Sequence, residues 1–434
     1  MKTVLMIAPY FLPRRRVGSL RPFRFAIHLR KYGWEPVILT LASPGERFSA
    51  IEKKLISDIR IIEIDPPFDR TTEKPVSKEP KPEKTGNDLA GQISAFIDRH
   101  TPVDTWIYLF MLRYLSILRT SKKVNPDLIW STGDPWSGLW LGNKLSGDLD
   151  KPLITDFRDP WTLSRLNLRE RSHFSLSIDR NTERKILENS EKVIFTSKIA
   201  VSEYREKLGL EQEKTGVIYN SYCRNLITNN PAEEVTMNFR DDKLNLLFLG
   251  EFRRLSPAEP VIQLLNDLKR MRPGLDQKLC IHSFGRLTQN DREMIKTSGL
   301  EDHFVVHSKV LPEQIYSVMQ AADLLLLTTS SKRSNIIPAK LWDYLSSNRP
   351  ILSITPNGEI EEIINKVSGG VHFYPNENRE AAEFMIQCLE SFGSDKPLID
   401  VDPAKREISR RSFESEQTTA QLASCFDEVI ADGH

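Results

Sequence analysis

Cysteine is scarce in this chain. There are four in 434 residues, at Cys223, Cys280, Cys388 and Cys425, and no two form a C-x-x-C pair. Neither a zinc site nor a disulfide framework is suggested, and a reducing compartment fits best. Net charge is missing as well. Sixty Lys and Arg stand against 59 Asp and Glu, a formal +1, so nothing global argues for nucleic acid and any basic site must be local. No apolar run approaches the ~20 residues of a membrane span. The longest candidate, Trp106 to Leu112, stops at Arg113. At the N-terminus, Lys2 precedes Thr3–Ala8 and then Pro9 and three arginines, which reads as a first buried strand and not as a signal peptide. A cytoplasmic chain is expected, either free or peripheral at the inner face of a membrane. There is no G-x-S-x-G, no P-loop, no G-x-G-x-x-G and no helical H-x-x-x-H. No dinucleotide cofactor and no metal are therefore expected.

What is present is an alternation of strand and helix signals. Thr3–Ala8 and Glu35–Thr40 read as strands around a helix Leu20–Tyr32 that Gly33 ends, a βαβ unit that predicts a parallel sheet. Asp127–Ser131, Leu153–Asp156, Lys192–Thr196 and Gly216–Tyr219 continue the series. Gln92 to Lys123 reads as helical, aromatic and basic, and Phe174–Asn189 as a further helix. About residues 70–89, Lys, Glu, Pro and Thr leave almost nothing to bury, and a mobile insertion is expected. A polar linker, Thr228 to Asp242, leads to a second α/β series. Its strands are Leu244–Leu249, Leu279–Ser283, Phe304–His307, Leu324–Thr328 and Ile351–Ile354. Its helices are Glu259–Met271, Thr288–Thr297 and Pro312–Ala321, and Phe413–Ile430 closes the chain with one broad apolar face. The length suits two domains of roughly 200 residues each. Ligands of doubly wound sheets bind at the carboxyl ends of the strands, so two such sheets facing a central cleft would suit a two-substrate reaction.

The strongest constellation is Ser334 to Leu352, S-N-I-I-P-A-K-L-W-D-Y-L-S-S-N-R-P-I-L, which follows a strand. Pro338 suits a first helical turn, and Ser334 or Asn335 is the expected cap. Asn348 is expected to end the helix in the left-handed conformation, with Pro350 preventing continuation. A helix N-terminus at a sheet's carboxyl end suits a diphosphate, and Lys340 adds a full charge in that first turn. Asp343 shares the Lys340 face, where a carboxylate can accept both hydroxyls of a ribose. The plain alternative is a packed helix with a surface Lys340–Asp343 pair.

Pro338, Lys340, Asp343, Tyr344 and Leu345 resemble the donor-site motif P-x-K-x-x-E-Y-L of retaining glycosyltransferases of family 4, whose fold is GT-B. Asp343 stands where the family has Glu, and Asn335 where it often has an upstream acid. In L-F-L-G-E-F-R-R, Gly250 resembles the family's glycine under the donor phosphates, and Arg253 or Arg254 its basic residue. The resemblance implies that one of these arginines and Lys340 stabilise the leaving diphosphate. Two solvated loop arginines are the alternative. Phe284-Gly285 resembles the turn beside the nucleotide base, where a merely conformational glycine is the alternative. Gly18, in F-L-P-R-R-R-V-G-S-L-R, resembles the loop that faces the donor phosphates, with Arg21 as a phosphate or acceptor contact.

A second match runs from Thr101 to Trp161. T-P-V-D-T-W, W-S-T-G-D-P-W-S and D-F-R-D-P-W resemble a bacterial branch of the same family. Asp134 replaces the first proline of that branch's double proline. Asp134, Asp156, Arg158, Asp159 and Trp161 are implied on the acceptor side, as carboxylates and a ring face for a sugar. The alternative for Arg158 is an internal ion pair. Helix 107–123 has two readings, a core helix with a basic end or a helix lying in a membrane interface.

The resemblance implies an α/β GT-B fold of two Rossmann-like domains facing a central cleft. Residues 1–226 would form the acceptor side, residues 227–405 the nucleotide-sugar side, and 406–434 a helix returning to the N-terminal domain. The implied activity is hexosyl transfer from a nucleotide diphosphate-sugar to an acceptor hydroxyl with retention and without metal, in surface glycan or polysaccharide synthesis. The implied partners are that donor and a glycan or lipid-linked acceptor, with no cofactor beyond the donor substrate. A nucleotide-sugar epimerase of the same fold, or a degenerate sugar-nucleotide-binding subunit, are the alternatives.

Overall fold

The computed structural model describes residues 1–65, 89–164, 171–228, 239–285, 287–308, 310, 314–331, 334–394, 397–399 and 402–432. The insertion expected at about 70–89 and most of the 228–242 linker lie outside them. The chain forms two compact units, Met1–Asn220 with Ser415–His434, and Ser221–Glu414.

The first unit is built on a seven-stranded sheet. Its strands are β1 (Lys2–Ile7), β2 (Trp34–Leu41), β3 (Arg60–Ile64), β4 (Leu128–Gly133), β5 (Leu153–Phe157), β6 (Lys192–Phe195) and β7 (Thr215–Val217), in the order β3-β2-β1-β4-β5-β6-β7. Every pairing is parallel. The central strands are apolar because helices cover both faces; β4 and β5 are buried along their whole length. Leu5, Ile7, Leu39, Ile129, Leu141, Leu145 and Leu153 belong to one core cluster, and Phe157, Trp161, Phe195 and Tyr204 to another.

The last helix, Ser415–Asp432, belongs to this unit. It packs on helix Val17–Leu29, with Phe426 edge-on to Trp34 at 5.1 Å and Ser415 Oγ 2.9 Å from His28 Nε2. Its apolar face, Leu422, Ala423 and Phe426, is buried.

The second unit has six parallel strands. They are β8 (Leu244–Phe248), β9 (Leu279–Phe284), β10 (Phe304–His307), β11 (Leu324–Thr328), β12 (Ile351–Ile354) and β13 (Gly370–Phe373), in the order β10-β9-β8-β11-β12-β13. Helices Glu259–Met271 and Asn378–Ser391 pack against each other over this sheet's core.

Three expectations are corrected here. The helix read as Gln92–Lys123 is two helices, Leu89–His100 and Ile107–Val124. Pro102 follows the first, and Val103 takes φ +66° while its N–H reaches Asp179 Oδ1 at 2.6 Å. Pro338 is the cap residue before helix Ala339–Ser346 and not within its first turn, and no side chain caps that end. Asn348 is not left-handed; the helix ends at Ser347 in extended conformation, φ −90° and ψ 166°.

Candidate active site

Each sheet reverses its strand order once, between β1 and β4 and between β8 and β11. At such a point the loops leaving the two strands diverge to opposite faces and open a crevice at the carboxyl ends. The residues singled out from the sequence fall at these two places.

In the second unit, β8 runs out into Leu249 and Gly250. Gly250 has φ +119°, and a Cβ there would stand 3.3 Å from Lys340 Cε and 3.5 Å from Nζ. The missing side chain lets Lys340, in the first turn of helix Ala339–Ser346, lie across the end of β8. Its ammonium sits 3.5 Å from the Phe248 ring centroid, a cation–π contact. Phe252 stacks on the same Phe248 ring at 4.1 Å. Tyr344 fixes the helix from below. Its buried hydroxyl accepts the Leu249 N–H at 2.9 Å and donates to the Leu326 carbonyl at 2.9 Å. One side chain thus ties the helix to both strands that border the crevice, and burial raises its pKa. The sequence match contained Tyr344 without assigning it this work.

Gly285 closes the same edge. With φ +88°, it leaves β9 so tightly that a Cβ would collide with the Glu251 side chain. Its N–H reaches the His307 carbonyl at 2.9 Å, and Phe284 N–H reaches the Gly250 carbonyl at 3.0 Å. So Gly250, Gly285 and Lys340, far apart in sequence, meet at the ends of β8, β9 and β11. Asn335 is buried in the loop before the helix, and Asp343 is half-buried one turn in from Lys340. Arg253 and Arg254 are exposed on a turn closed by the Arg253 and Ser256 backbones, at 3.0 and 2.7 Å.

The first unit separates the acceptor-side residues into two groups. Arg21 and Asp156 are 4% and 0% exposed and face each other. Arg21 donates from Nε and Nη2 to the two Asp156 oxygens at 2.7 and 2.9 Å, and from Nη1 to the Tyr219 carbonyl at 2.9 Å. Thr132 adds a bond to Asp156 at 3.4 Å. A bidentate buried pair of this kind has its hydrogen-bonding capacity used up internally. Trp161 is a core residue, 2% exposed, stacked on Trp136 at 5.2 Å. These three hold the site in place; no face of them is presented to a sugar.

Arg158, Asp134, Asp159 and Gly18 form the second group, at the carboxyl ends of β1, β4 and β5. In place of the ion pair offered as its alternative, the Arg158 guanidinium donates to backbone, to the Gly133 carbonyl at 2.7 Å and to the Asp134 carbonyl. The same group lies on Gly18, where any Cβ would overlap it. Asp134 keeps an accessible edge but is hemmed in by protein. That desolvation raises its carboxyl pKa against the pull of Arg158, and Asp159 adds to the rise.

Sequence reasoning missed the neighbours of this group. Asp104 accepts the N–H groups of Trp106 at 2.9 Å and Ser137 at 2.8 Å, and desolvation pushes its pKa up to about 6. Trp106 Nε1 donates to Tyr10 Oη at 3.3 Å, and the Arg14 guanidinium lies over both rings, at 5.4 and 6.0 Å. The signal was the acid–Trp pair of T-P-V-D-T-W together with the aromatic–arginine run after β1. Among the described residues, no three His, Cys, Asp or Glu side chains gather as metal ligands, and no helix is long and apolar enough to cross a membrane.

Comparison with known proteins places this geometry. Residues 23–222 match the model of "Glycosyltransferase Family 4" and residues 243–391 that of "Glycosyl transferases group 1". Sucrose-phosphate synthase from Thermosynechococcus elongatus superposes with TM-score 0.65 at 14% identity over 100% of both chains. A glycosyltransferase from Rickettsia africae gives 0.62 at 15%, covering 99% of this chain and 98% of that one. Anabaena Alr3699/HepE, solved with UDP and glucose, gives 0.60 at 16%, covering 99% and 100%. No curated protein sequence matches. The chain is a glycosyltransferase family 4-like protein of the GT-B fold. Its family domains support glycosyl transfer as its activity.

Proposed function

We propose that the protein moves a hexose-type sugar from a nucleoside diphosphate donor to an acceptor hydroxyl, with retention and without a metal ion, in surface glycan or polysaccharide synthesis. The observation that carries this reading is Lys340 laid across Gly250 at the β8/β11 switch point. There a diphosphate would meet the helix N-terminus, Lys340 and one of Arg253 or Arg254. The bond from the anomeric carbon to the diphosphate oxygen breaks, and the acceptor oxygen bonds to that carbon on the same face. A departing phosphate oxygen takes the acceptor's proton, and the cations stabilise the charge that develops. Asp343 accepts the ribose hydroxyls. The UDP complex of the Anabaena protein makes UDP the first nucleotide to try.

On the acceptor side, Asp134 and Asp159 with Tyr10 and Trp106 are the contacts. Arg21, Asp156 and Trp161 act as their scaffold, and Arg158 holds the Gly133–Asp134 carbonyls. Lys340→Ala should cut transfer roughly 100- to 1000-fold, the range for removing one preorganised charge-stabilising group, with melting unchanged. Activity should persist in excess chelator. Unchanged donor turnover in folded Lys340→Ala would remove the donor-site assignment.

The acceptor is proposed to be lipid-linked, because helix Ile107–Val124 presents a suitable face. Tyr108, Met111, Leu112 and Leu115 are 59%, 57%, 72% and 67% exposed. They share one side of the helix, which continues into Arg119, Lys122 and Lys123, all exposed. Apolar residues beside a basic run suit the interface of an anionic bilayer. The protein should co-sediment with phosphatidylglycerol-containing vesicles and less with phosphatidylcholine alone. Leu112→Glu with Leu115→Glu should abolish the difference; equal sedimentation of parent and variant would overturn the contact.

A further inference from the structure

Helix Ala339–Ser346 has eight residues. Two turns are too few for a helix to persist on local bonds alone, so its orientation depends on what grips it. Tyr344, in its second turn, ties it to β8 and β11, as described. Its C-terminal end is the negative pole of the backbone dipole and leaves carbonyls to be satisfied. Local groups supply part of this: Ser346 Oγ donates to the Asp343 carbonyl at 2.6 Å and Ser347 Oγ to the Tyr344 carbonyl at 2.9 Å.

The Ser346 carbonyl and those of the turn that follows, Ser347 to Arg349, are met by two arginines 57 to 64 positions further along the chain. Arg406 Nη1 donates to the Asn348 carbonyl at 3.1 Å, and Nη2 to those of Ser347 at 3.3 Å and Arg349 at 2.6 Å. Arg410 Nη1 donates to the carbonyls of Ser346 at 3.3 Å and Ser347 at 3.2 Å, and to Asn348 Oδ1 at 2.9 Å. Arg406 is 4% exposed, and burial together with Arg410 lowers its pKa to about 10, which leaves it cationic at neutral pH. Its bonds above all go to carbonyl oxygens and none to a carboxylate. Glu407 pairs with Arg410, and is shared with Arg224 at 2.8 Å and Arg411 at 3.5 Å. Two adjacent cations in one buried end are more than capping a short helix demands, since a glycine or one neutral donor usually serves. The same segment also grips the helix from the side, where Phe413 meets Trp342 at 5.5 Å between ring centroids.

We propose that Arg406 and Arg410 are positioning residues for the donor site. They clamp the C-terminal end of helix Ala339–Ser346 and thereby hold Lys340, one helix length away, in register with Gly250. This rests on the donor-site reading above.

Calorimetric titration of UDP into the full chain tests it, with amide hydrogen exchange at 339–346 as the local readout. Arg406→Met should bind UDP about tenfold more weakly, consistent with the upper range of a cation at a partly buried helix end. Exchange in 339–346 should quicken while the first unit's core stays protected. Arg406→Lys should lie between parent and Met variant, and millimolar guanidinium should restore part of the lost affinity. A merely structural role would lower the melting temperature and leave the affinity of the folded protein unchanged, and that result overturns the proposal. If Arg406→Met does not fold, Arg410→Met, whose side chain is 12% exposed, carries the same expectation and the same refutation. A parent chain that binds neither UDP nor another nucleoside diphosphate would instead overturn the donor-site reading, and the clamp with it.

Discussion

Glu183 shows how much of the chemistry near the first unit's site is structural. It is 1% exposed, accepts from Tyr204 Oη at 2.5 Å and from the Thr162 N–H at 3.3 Å, and is pushed up to about 7 by burial. Its ordinary value is 4.5. Between the two, the folded chain still holds a proton that the unfolded chain has released, so stability falls as pH rises through that window and is level above it. His28 acts in the opposite sense. Burial lowers it from 6.5 to about 4, so the folded chain resists a proton the unfolded chain takes, and stability is lost as pH falls through that range. Glu183→Gln removes the first effect alone. The variant's melting temperature should gain on the parent's between about pH 5 and about pH 8, while both decline alike on the acid side of His28. Parallel profiles across the whole range would mean that Glu183 is ionised in the fold. Arg21 and Asp156 carry the same lesson: charged residues beside a strand end can be committed to one another before any ligand arrives.

At the level of elements, the sequence was most legible where pattern and function coincide. The run from Leu324 to Leu352 reads as strand, loop, helix and strand because apolar runs alternate with Pro338 and Pro350, and the structure has those elements in that order. Its helix end reads differently in the structure because the turn after it is held by Arg406 and Arg410, a contact that no local signal announces. The edge strands β3 and β13 were missed for a related reason. Both are short and only partly buried, so neither gives the continuous apolar run of a central strand. Trp161 is the clearest case on the site side. An aromatic after a strand at its carboxyl end suits a sugar platform, but its stacking on Trp136 and the Tyr204 Oη bond to its N–H at 2.9 Å put it in the core. Which face of a loop is turned inward depends on partners such as Tyr204 and Trp136 that lie elsewhere in the chain. Conversely, Gly250, Gly285 and Lys340 were read from three separate motifs, and the fold brings them to one sheet edge.

In the proposed reaction of the whole molecule, the donor belongs to the unit Ser221–Glu414 and the acceptor to the unit that holds both chain ends. The central claim is that a nucleotide diphosphate-sugar binds at the β8/β11 switch point with its ribose on Asp343. Titration of UDP by calorimetry into the parent, Asp343→Asn and Asp343→Glu tests that claim most directly. A carboxylate accepting two hydroxyls makes charge-assisted bonds, and an amide offers a single acceptor oxygen, so the Asn variant should bind more weakly by roughly 1.5–3 kcal/mol. The Glu variant, which restores the family's residue, should stay within about tenfold of the parent. Equal affinity in all three proteins would mean that Asp343 does not touch the nucleotide, and would contradict the assignment of the donor site.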